Sequence, residues 1–533
     1  MKTLRKFGFP GVLLVVVVSL GVFIGQSVFI GQKAQELWQK ALVPVPDAQV
    51  TIDLRLPYAT IPPSAFGMNT AVWDNNLLDA RVPGLLRQAG ITMLRFPGGS
   101  TADGYHWQNN SITLGRGYIN PHNTFDAFMG VVHQIDARAF ITVNYGSNII
   151  GTDGGDPTEA AAWVQYANII KRYGITYWEI GNEVYGNGAN SSQWEADLHA
   201  TKSPVTYANN VLQYAHFMKG VDSSIKLGVA LTIPVDTSAD SGEKQMADWN
   251  KTVLSIVCSH IDFVDIHWYP RWHEGDSRDP DAMLLARTSQ IPGILSQLRL
   301  QISHYCGTHA KDVQIFVGET STGNSGKQTV SLVNALFLAD SYMTWLENGA
   351  SNVSWWDLHN GIEIQGNNSS SLYGKANYGD QGILANGTCS QGVCEPATNT
   401  PFPPYYGIQI LTHLGTPGDQ MVSASSQQRF VAAHAVKQAN GNLALLLINK
   451  DPSTSYTLKV SLSGYKPASR ATVYSYGMQS ASISVNSKSG LDPMFKQTLP
   501  PYSLTTVVLT PALMGKTPSQ PAYLQGNCRF CHQ

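Results

Sequence analysis

Eight short apolar segments constrain the fold of this 533-residue chain more than any other feature. Each is followed by a loop, and most of these loops lead into a longer stretch of helical periodicity. Strand and helix in repeated alternation are typical of a barrel of eight parallel strands ringed by helices. We therefore predict an α/β fold with a (β/α)8 TIM barrel over residues 61–415. The predicted strands lie near Phe66–Asn69, Met93–Phe96, Ala139–Asn144, Tyr177–Ile180, Leu227–Ala230, Phe263–His267, Ile315–Gly318 and Val353–Asp357.

Five longer segments between these strands carry apolar residues at helical spacing. We predict helices at Leu78–Ala89, Glu159–Tyr173, Val205–Val221, Asp281–Tyr305 and Leu332–Asn348. A further short helix is expected around Tyr405–Leu414, after a loop rich in Gly, Ser and Asn.

The last part of the chain changes character. From about Met421 it has strand patterns without helices between them, which favours an antiparallel β-sandwich. We place this accessory domain at residues 416–511 and expect residues 49–60, which alternate like one strand, to contribute to it. Residues 512–533 are interpreted as a C-terminal tail. Candidate strands are Phe430–Val436, Leu443–Ile448, Tyr456–Leu462 and Thr505–Leu509.

The N-terminus resembles an export signal. Lys2, Arg5 and Lys6 precede an apolar run from Gly8 to Gly25. A basic head before an apolar segment is typical of a secretory signal, and this run is also close to the length of a membrane span. We predict that residues 1–27 are a signal peptide or an uncleaved membrane anchor, followed by a linker at 28–48. Both alternatives predict a secreted or cell-surface protein.

The six cysteines form three pairs that are near in sequence: Cys258 with Cys306, Cys389 with Cys394, and Cys528 with Cys531. In an exported chain such pairs predict disulfides, although spacing alone does not give the connectivity. The last pair, followed by His532, also matches the haem-attachment pattern C-x-x-C-H, but no haem-wrapping domain follows it. A formal net charge of −2 gives no basis for nucleic-acid binding, so we expect no nucleic-acid partner.

Two glutamates stand at the ends of predicted strands. The fourth strand runs into Trp178-Glu-Ile-Gly-Asn-Glu183, and the seventh into Gly318-Glu319. The active site of a (β/α)8 barrel forms at the carboxyl ends of its strands, so both side chains are expected in one cavity. Two carboxyl groups facing each other, one protonated and one ionised, are the requirement for cleaving a glycosidic bond. A capping or salt-bridge role is the alternative for either glutamate taken alone.

The Asn-Glu pair at 182–183, coupled to Glu319 on the seventh strand, resembles the clan A glycoside hydrolases. That resemblance implies that Glu183 is the general acid/base and Glu319 the nucleophile of a retaining enzyme. It also implies that Asn182 contacts the sugar hydroxyl next to the anomeric carbon. Arg95, at the end of the second strand, resembles the arginine that keeps the nucleophile ionised, since an adjacent cation lowers a carboxyl pKa.

Several further side chains belong to the predicted site. His267 and Tyr269 resemble the clan's polar partners of the nucleophile, and no second ligand at a recognisable spacing suggests a metal role for His267. This chemistry requires no cofactor and no metal. Four aromatic residues at strand ends or adjoining loops are candidates for sugar subsites, with core packing as the alternative: Trp107, Tyr145, Trp268 and Trp356.

Three branches of the clan compete for the substrate. Phe96-Pro-Gly-Gly99 resembles the α-L-arabinofuranosidase family, but this chain has Ser100 where that family has Asn, and Asn69 where it has Glu. Gly318-Glu-Thr-Ser321 is similar to the heparanase and β-glucuronidase family, and a β-sandwich also suits the β-xylosidase and iduronidase family. We expect a carbohydrate substrate and an arabinofuranosidase-like activity. A non-catalytic carbohydrate-binding protein of the cell surface is the hypothesis from another class.

Overall fold

The computed structural model describes residues 47–113, 118–189, 193–234, 241–270, 281–323, 328–364 and 378–512. The predicted export signal, most of the linker and the Cys528–Cys531 pair lie outside these residues. Within the described ranges, no helix is both long enough and apolar enough to cross a bilayer. The structure places two disulfides, Cys258–Cys306 and Cys389–Cys394.

Eight parallel strands close into a barrel, which confirms the predicted fold class. In chain order, the first strands are β1 (Asp47–Thr60), β2 (Phe66–Asn69), β3 (Met93–Phe96), β4 (Tyr105–His106), β5 (Ser111–Ile112), β6 (Arg138–Val143), β7 (Tyr177–Ile180), β8 (Lys226–Leu231), β9 (Phe263–Trp268), β10 (Gln314–Thr320) and β11 (Asn352–Trp355). Around the barrel the order is β2, β3, β6, β7, β8, β9, β10 and β11, with β11 pairing back to β2. Strands β4 and β5 form a separate small hairpin.

Helices cover the outside of the barrel. They are α1 (Val82–Gln88), α2 (Phe125–Gln134), α3 (Pro157–Val164), α4 (Pro204–Val221), α5 (Ser241–Val257), α6 (Asp281–Ala286), α7 (Ile291–Cys306), α8 (Leu332–Glu347) and α9 (Pro403–Gln409). The predicted helix at Asp281–Tyr305 is divided into α6 and α7, because a 3-10 turn at Arg287–Gln290 separates them. Helices α2 and α5 are additions to the sequence prediction.

The barrel interior is filled by aromatic rings below the strand ends. Rings on strands that are not neighbours touch, as Phe140 of β6 and Phe316 of β10 do with centroids 5.5 Å apart. Because side chains on a strand alternate between two faces, this layer fixes which residues point into the barrel. The layer consists of four aromatic residues, Phe140, Tyr177, Phe263 and Phe316, and of Met93.

A curled nine-stranded sheet forms the accessory domain. Its further strands are β14 (Gln420–Ser426), β15 (Val431–Lys437), β16 (Leu443–Asn449), β17 (Tyr456–Ser463), β18 (Pro467–Gly477), β19 (Ser484–Ser489), β20 (Met494–Leu499) and β21 (Ser503–Pro511), while β12 (Cys389–Ser390) and β13 (Val393–Cys394) make a small hairpin in a barrel loop. Strand β1 lies inside the large sheet, antiparallel to β14 and parallel to β17. The sheet has its own apolar core, which includes Val50, Leu445 and Val507.

Buried charges join the sheet to the barrel. Lys450, directly after β16, donates to Asp340 of α8 at 2.6 Å and also to Leu285 O and Thr288 Oγ1. His434 of β15 bridges Asp340 through Nε2 and Glu347 through Nδ1, each at 3.0 Å. We call Asp340, Glu347, His434 and Lys450 the interface cluster. Each charged nitrogen in it faces a carboxylate, so the buried charges compensate one another.

Candidate active site

Four polar side chains meet at the carboxyl ends of the barrel strands, directly above the aromatic layer. Arg95 of β3, Glu179 of β7, Asp265 and His267 of β9 occupy the positions that alternation directs inward. The Arg95 guanidinium carbon lies 5.4 Å from the centre of the Phe140 ring, which is part of the layer below. The barrel therefore surrounds a buried charge cluster, the active-site cluster, with apolar packing beneath it.

A bulge in β10 turns Glu319 into this cluster. Phe316 pairs with Asp265, and after a register shift Glu319 pairs with His267. Gly318 is the extra residue, and its backbone N–H donates to Asp265 at 2.6 Å. A side chain at 318 is excluded, because a Cβ there would lie 1.9 Å from Asp265 Oδ2. Without the bulge, simple alternation from Phe316 would point Glu319 out of the barrel.

Both carboxylate oxygens of Glu319 accept hydrogen bonds. Arg95 Nη1 donates to Oε1 at 2.7 Å, and the Tyr269 hydroxyl donates to Oε2 at 2.7 Å. His267 Nδ1 lies 3.6 Å from Oε2. Charge-assisted hydrogen bonds of this kind fix the orientation of a carboxylate. The Glu319 side chain is thus held in one orientation at the end of β10.

Glu183 lies on a tight turn after β7. Its φ of 26° is unusual for a residue with a side chain, and Gly181 before it has φ of 73°. His267 Nδ1 and Glu183 Oε1 are 2.7 Å apart, and Trp194 Nε1 donates to Oε2 at 2.6 Å. Burial alone would raise the pKa of Glu183, but the bonds to His267 and Trp194 lower it below the ordinary value. The proton of this pair therefore resides mainly on His267.

His267 carries this proton because carboxylates surround it. Burial opposes its charge, but Glu319, Asp265 and Glu183 together raise the pKa of His267 well above its ordinary value. The sequence predicted His267 as a partner of the nucleophile. In the structure its short hydrogen bond goes to Glu183, whereas Tyr269 and Arg95 bond Glu319.

Arg95 connects Glu179 and Glu319 of the active-site cluster with Asn182. Its Nη1 donates to Glu319. Its Nη2 donates to Glu179 at 2.8 Å and to Asn182 Oδ1 at 2.9 Å, and its Nε also donates to Glu179. Its side chain is 1% exposed. Thr142 Oγ1 adds a third donor to Glu179. A planar guanidinium provides donors in several directions at once, which an ammonium group cannot do in this geometry.

A cleft of about 580 Å³ opens above Glu183 and Glu319. Its described lining combines polar groups and indole rings, the usual make-up of a small-molecule site. The lining residues are Trp73, Gly99, Ser100, Thr101, Asn182, Glu183, Trp194, Tyr269, Glu319, Gly323, Trp356, Glu363 and Gln381.

Of the four predicted subsite aromatics, Trp356 lines this cleft, and the other three pack against neighbouring side chains. Trp107 stacks on Trp163 with centroids 5.9 Å apart, and Tyr145 packs against His199. Trp268 packs against Phe337 and Trp345 of α8, on the outer face of the barrel. Trp268 points outward because side chains alternate along a strand and its neighbour His267 points inward.

Trp194 and Glu195 are among the site residues that were not predicted from the sequence. Trp194 donates to Glu183, and Glu195 accepts hydrogen bonds from Ser100 and Asn182. Backbone bonds from both residues to Gly186 O hold this segment beside the turn of Glu183. The only sequence signal was the Trp-Glu dipeptide shortly after the Asn-Glu pair. Its place in the site depends on how the intervening loop folds back.

The departures from the arabinofuranosidase pattern have structural consequences. Asn69 is fully buried, and its side-chain amide donates to Gly318 O and other backbone oxygens while its Oδ1 faces Arg95. It therefore supports the cluster and presents nothing to the cleft. Ser100 lines the cleft, with its hydroxyl hydrogen directed at Glu195.

Two groups of donor atoms in the site lie close enough together to suggest a metal. They are Glu179, Asp265 and His267, and Glu183, His267 and Glu319; in each group the three atoms lie within 4.8 Å of one another. In both, however, a carboxylate is bonded to the Arg95 guanidinium. That fixed positive charge, together with the charged His267, repels a cation at this position.

Comparison with known proteins places this geometry in context. No protein-family model matches the chain. The chain is 26% identical over 262 residues to an intracellular exo-α-(1→5)-L-arabinofuranosidase of Bifidobacterium longum, covering 42% of this chain and 43% of that protein. It is 26% identical over 212 residues to exo-α-(1→5)-L-arabinofuranosidase 1 of Bacillus subtilis, covering 35% and 38%. The chain thus matches less than half the length of these relatives.

Solved structures extend the likeness across the fold. An α-L-arabinofuranosidase from Thermotoga maritima, in complex with arabinose, has a TM-score of 0.65 at 17% identity and covers 86% of this chain and 99% of its own. The bifunctional glucanase-xylanase CelM2 has a TM-score of 0.64 at 15% identity, covering 88% and 100%. At these identities the likeness concerns the fold, a barrel with an accessory β-domain. The chain resembles clan A glycoside hydrolases of the arabinofuranosidase type.

Proposed function

We propose that this protein is a retaining glycoside hydrolase in which Glu183 is the general acid/base and Glu319 the nucleophile. One observation carries the proposal: a carboxylate oxygen of Glu183 and one of Glu319 lie within 4.8 Å of each other, in one cleft. Retaining enzymes hold their two carboxyl groups about 5–5.5 Å apart, whereas inverting enzymes leave about 6.5–9.5 Å for a water molecule. The short separation favours retention.

The first step forms a bond between Glu319 and the anomeric carbon while the bond to the leaving oxygen breaks. Glu183 gives a proton to that oxygen, and the sugar remains attached to Glu319 as an ester. In the second step Glu183 takes a proton from water, which attacks the anomeric carbon and releases Glu319. Arg95 and Tyr269, already bonded to Glu319, stabilise it as the leaving carboxylate.

His267 supplies the proton that Glu183 needs. Before reaction His267 is charged, and Glu319 is the largest contributor to this charged state. When Glu319 forms the ester, its negative charge disappears and the charged imidazole loses that support. The proton then moves from Nδ1 to Glu183 along the 2.7 Å hydrogen bond and on to the leaving oxygen. Attack and protonation are coupled in this scheme.

The substrate we propose is an α-L-arabinofuranoside. The relatives named above are arabinofuranosidases, and Phe96-Pro-Gly-Gly99 resembles the pattern of the arabinofuranosidase family. A glucuronide requires a cation for its carboxylate, and the described residues that line the cleft include Glu363 but no lysine or arginine. Since Asn69 and Ser100 replace two ligands of the arabinofuranosidase pattern, we expect weaker discrimination among pentosides than in those relatives.

We also propose that the chain is exported. The basic residues Lys2, Arg5 and Lys6 before the apolar run from Gly8 support this, as do the disulfides Cys258–Cys306 and Cys389–Cys394. Fractionation of expressing cells, with immunodetection of the full chain, distinguishes membrane-attached from released and cytosolic protein. Recovery in the cytosol with free thiols would contradict export.

The decisive test is release of nitrophenol from aryl glycosides by the wild type and by Glu319→Gln. The panel comprises α-L-arabinofuranoside, β-D-xyloside, β-D-glucoside, β-D-galactoside and β-D-glucuronide. We expect the highest rate on the arabinofuranoside and a loss of at least about 10³-fold in the variant, since residues that act as one catalytic unit cost this much when removed. Added methanol traps the intermediate as a methyl glycoside, and NMR of this product reports the configuration.

Each outcome is informative. A methyl glycoside with the substrate's configuration supports retention, and the opposite configuration contradicts it. If the rate is highest on the glucuronide, the proposed substrate is wrong but the proposed mechanism still stands. Binding of arabino-oligosaccharides without cleavage by the wild type would support the carbohydrate-binding hypothesis instead.

A further inference from the structure

Glu195 lies behind the cleft and is buried, with 2% of its surface exposed. Its side chain is absent from the cleft lining, but both of its partners line the cleft. Ser100 Oγ donates to Glu195 Oε1 at 2.7 Å, and Asn182 Nδ2 donates to the same oxygen at 3.0 Å. One carboxyl oxygen therefore connects two side chains that face the substrate.

These bonds fix the amide of Asn182 in one orientation. Arg95 has only donors, so the atom facing its Nη2 at 2.9 Å is the amide oxygen. The amide nitrogen consequently faces Glu195. One of its two hydrogens bonds Glu195, and the second remains available for a sugar hydroxyl. The Ser100 hydroxyl likewise donates its hydrogen to Glu195, so its oxygen remains available as an acceptor.

The second oxygen of Glu195 is buried and has no hydrogen-bond partner among the described residues. An ionised carboxylate there would leave an uncompensated charge in the protein interior, whereas a neutral hydroxyl costs much less. The acidic groups that face Glu195 are Glu183, Glu319 and Asp103, from three different elements of the barrel end. Burial and the charge of Glu183 raise the pKa of Glu195 to about 8.

We propose that Glu195 is a positioning residue that sets Asn182 and Ser100 for the sugar hydroxyl next to the anomeric carbon. As a neutral acid it accepts both hydrogen bonds without adding a third negative charge beside Glu183 and Glu319. This inference rests on the proposed glycosidase function, since the sugar is what Asn182 and Ser100 would contact.

Glu195→Ala removes the shared acceptor, and Glu195→Gln retains a neutral one. On the aryl glycoside that the wild type cleaves best, we expect Glu195→Ala to lose about 30- to 100-fold in kcat/KM, mostly in kcat, because the buried Asn182 amide and the Ser100 hydroxyl lose the acceptor that orients them. Glu195→Gln should recover most of that loss. On the 2-deoxy analogue of the same substrate, Glu195→Ala should lose less than about threefold, since the hydroxyl that Asn182 holds is missing.

A matched control is Glu347→Ala, which removes a glutamate of the interface cluster far from the cleft. It should lower stability without changing the ratio of rates on the hydroxy and deoxy substrates. Equal losses for Glu195→Ala on both substrates would show a purely structural role and overturn the proposal. Wild-type rates in Glu195→Ala would overturn it as well.

A second measurement does not depend on turnover. The pKa of Glu195 is about 8 in the folded protein, above its ordinary value of 4.5, so Glu195 lowers stability progressively as pH rises from 4.5 to 8. Glu195→Gln lacks this effect. Its Tm relative to wild type should therefore increase between pH 5 and 8 and stay constant above. A pH-independent difference would contradict the neutral state, even if the protein cleaves none of the glycosides.

Discussion

The chain buries charge in two places, and the two clusters differ in how completely they are paired. In the interface cluster, the charged nitrogens of Lys450 and His434 each lie within hydrogen-bond distance of a carboxylate oxygen. Asp340 accepts hydrogen bonds from both residues. In the active-site cluster, Glu179 has a buried oxygen without a hydrogen-bond partner among the described residues, and Asp265 Oδ2 has only a longer contact of 3.4 Å with His267 Nε2. We therefore expect changes in the interface cluster to act on stability. Under the proposed function, changes in the active-site cluster should act on turnover.

Changing the central cation of the active-site cluster should have the largest effect. Arg95→Lys keeps the charge but cannot reach Glu319, Glu179 and Asn182 together, so we expect kcat to fall about 10²- to 10³-fold. Steady-state kinetics on the best aryl glycoside measures this. The matched control is Arg299→Lys, because Arg299 of α7 donates to Val313 O before β10, away from the cleft. If kcat falls by a similar factor in both variants, the loss is not specific to the contacts that Arg95 makes in the active-site cluster.

The cation of the interface cluster should affect stability and leave activity unchanged. Lys450→Met leaves Asp340 with His434 alone, and breaking a buried pair costs about 3–5 kcal/mol. Urea unfolding followed by tryptophan fluorescence gives the free energy of unfolding, and kcat is measured on the folded protein. Lys496→Met, at an exposed position of β20, should change stability by less than about 0.5 kcal/mol. A lower kcat for folded Lys450→Met would show that the two clusters are coupled.

The smallest effect concerns pH. Burial opposes the charge of His434, but Glu347 and Asp340 raise its pKa to about 10, from an ordinary value of 6.5. A raised pKa contributes stability that is complete below pH 6.5 and is lost as pH rises from 6.5 to 10. The Tm of the wild type should fall over this window by a few degrees more than that of His434→Gln.

His413→Gln is the matched control for this window. Burial lowers the pKa of His413, so this histidine is neutral above pH 6.5 in both the folded and the unfolded chain. Its substitution should leave the slope of Tm against pH unchanged between 7 and 10. If the slopes of Tm against pH are the same for the wild type and His434→Gln, the interface cluster does not keep His434 protonated in the way we propose.

The barrel could be predicted because its signal is local and repeated. Eight apolar segments at regular intervals gave strands such as Phe66–Asn69 and Tyr177–Ile180 with the bounds that the structure has. Helix α2 was missed although Thr124 caps it and Phe125 and Phe128 lie on one face, so the signal was present. The two helices α6 and α7 were merged because a 3-10 turn between them does not interrupt the apolar pattern.

The site could be predicted only in part, because side-chain direction depends on details that propensities do not contain. The strand pattern identified Glu319 correctly as an end-of-strand residue, but the alternation of β10 alone points it outward. The bulge at Gly318, which depends on contact with Asp265 of another strand, turns it inward. For Glu195 no local rule applies, since its partners Ser100 and Asn182 come from other turns of the chain.

Strand β1 has a consequence for how the molecule is made. Its partners β14 and β17 follow the whole barrel in the sequence, so β1 is synthesised before the barrel and can pair only after the barrel has been made. The polypeptide of the barrel must be complete before the nine-stranded sheet can close. During that interval β1 presents an apolar strand without neighbours, a target for chaperones and for aggregation. Removal of this N-terminal strand by a protease would open two sheet edges, at β14 and β17, and leave the barrel strands intact.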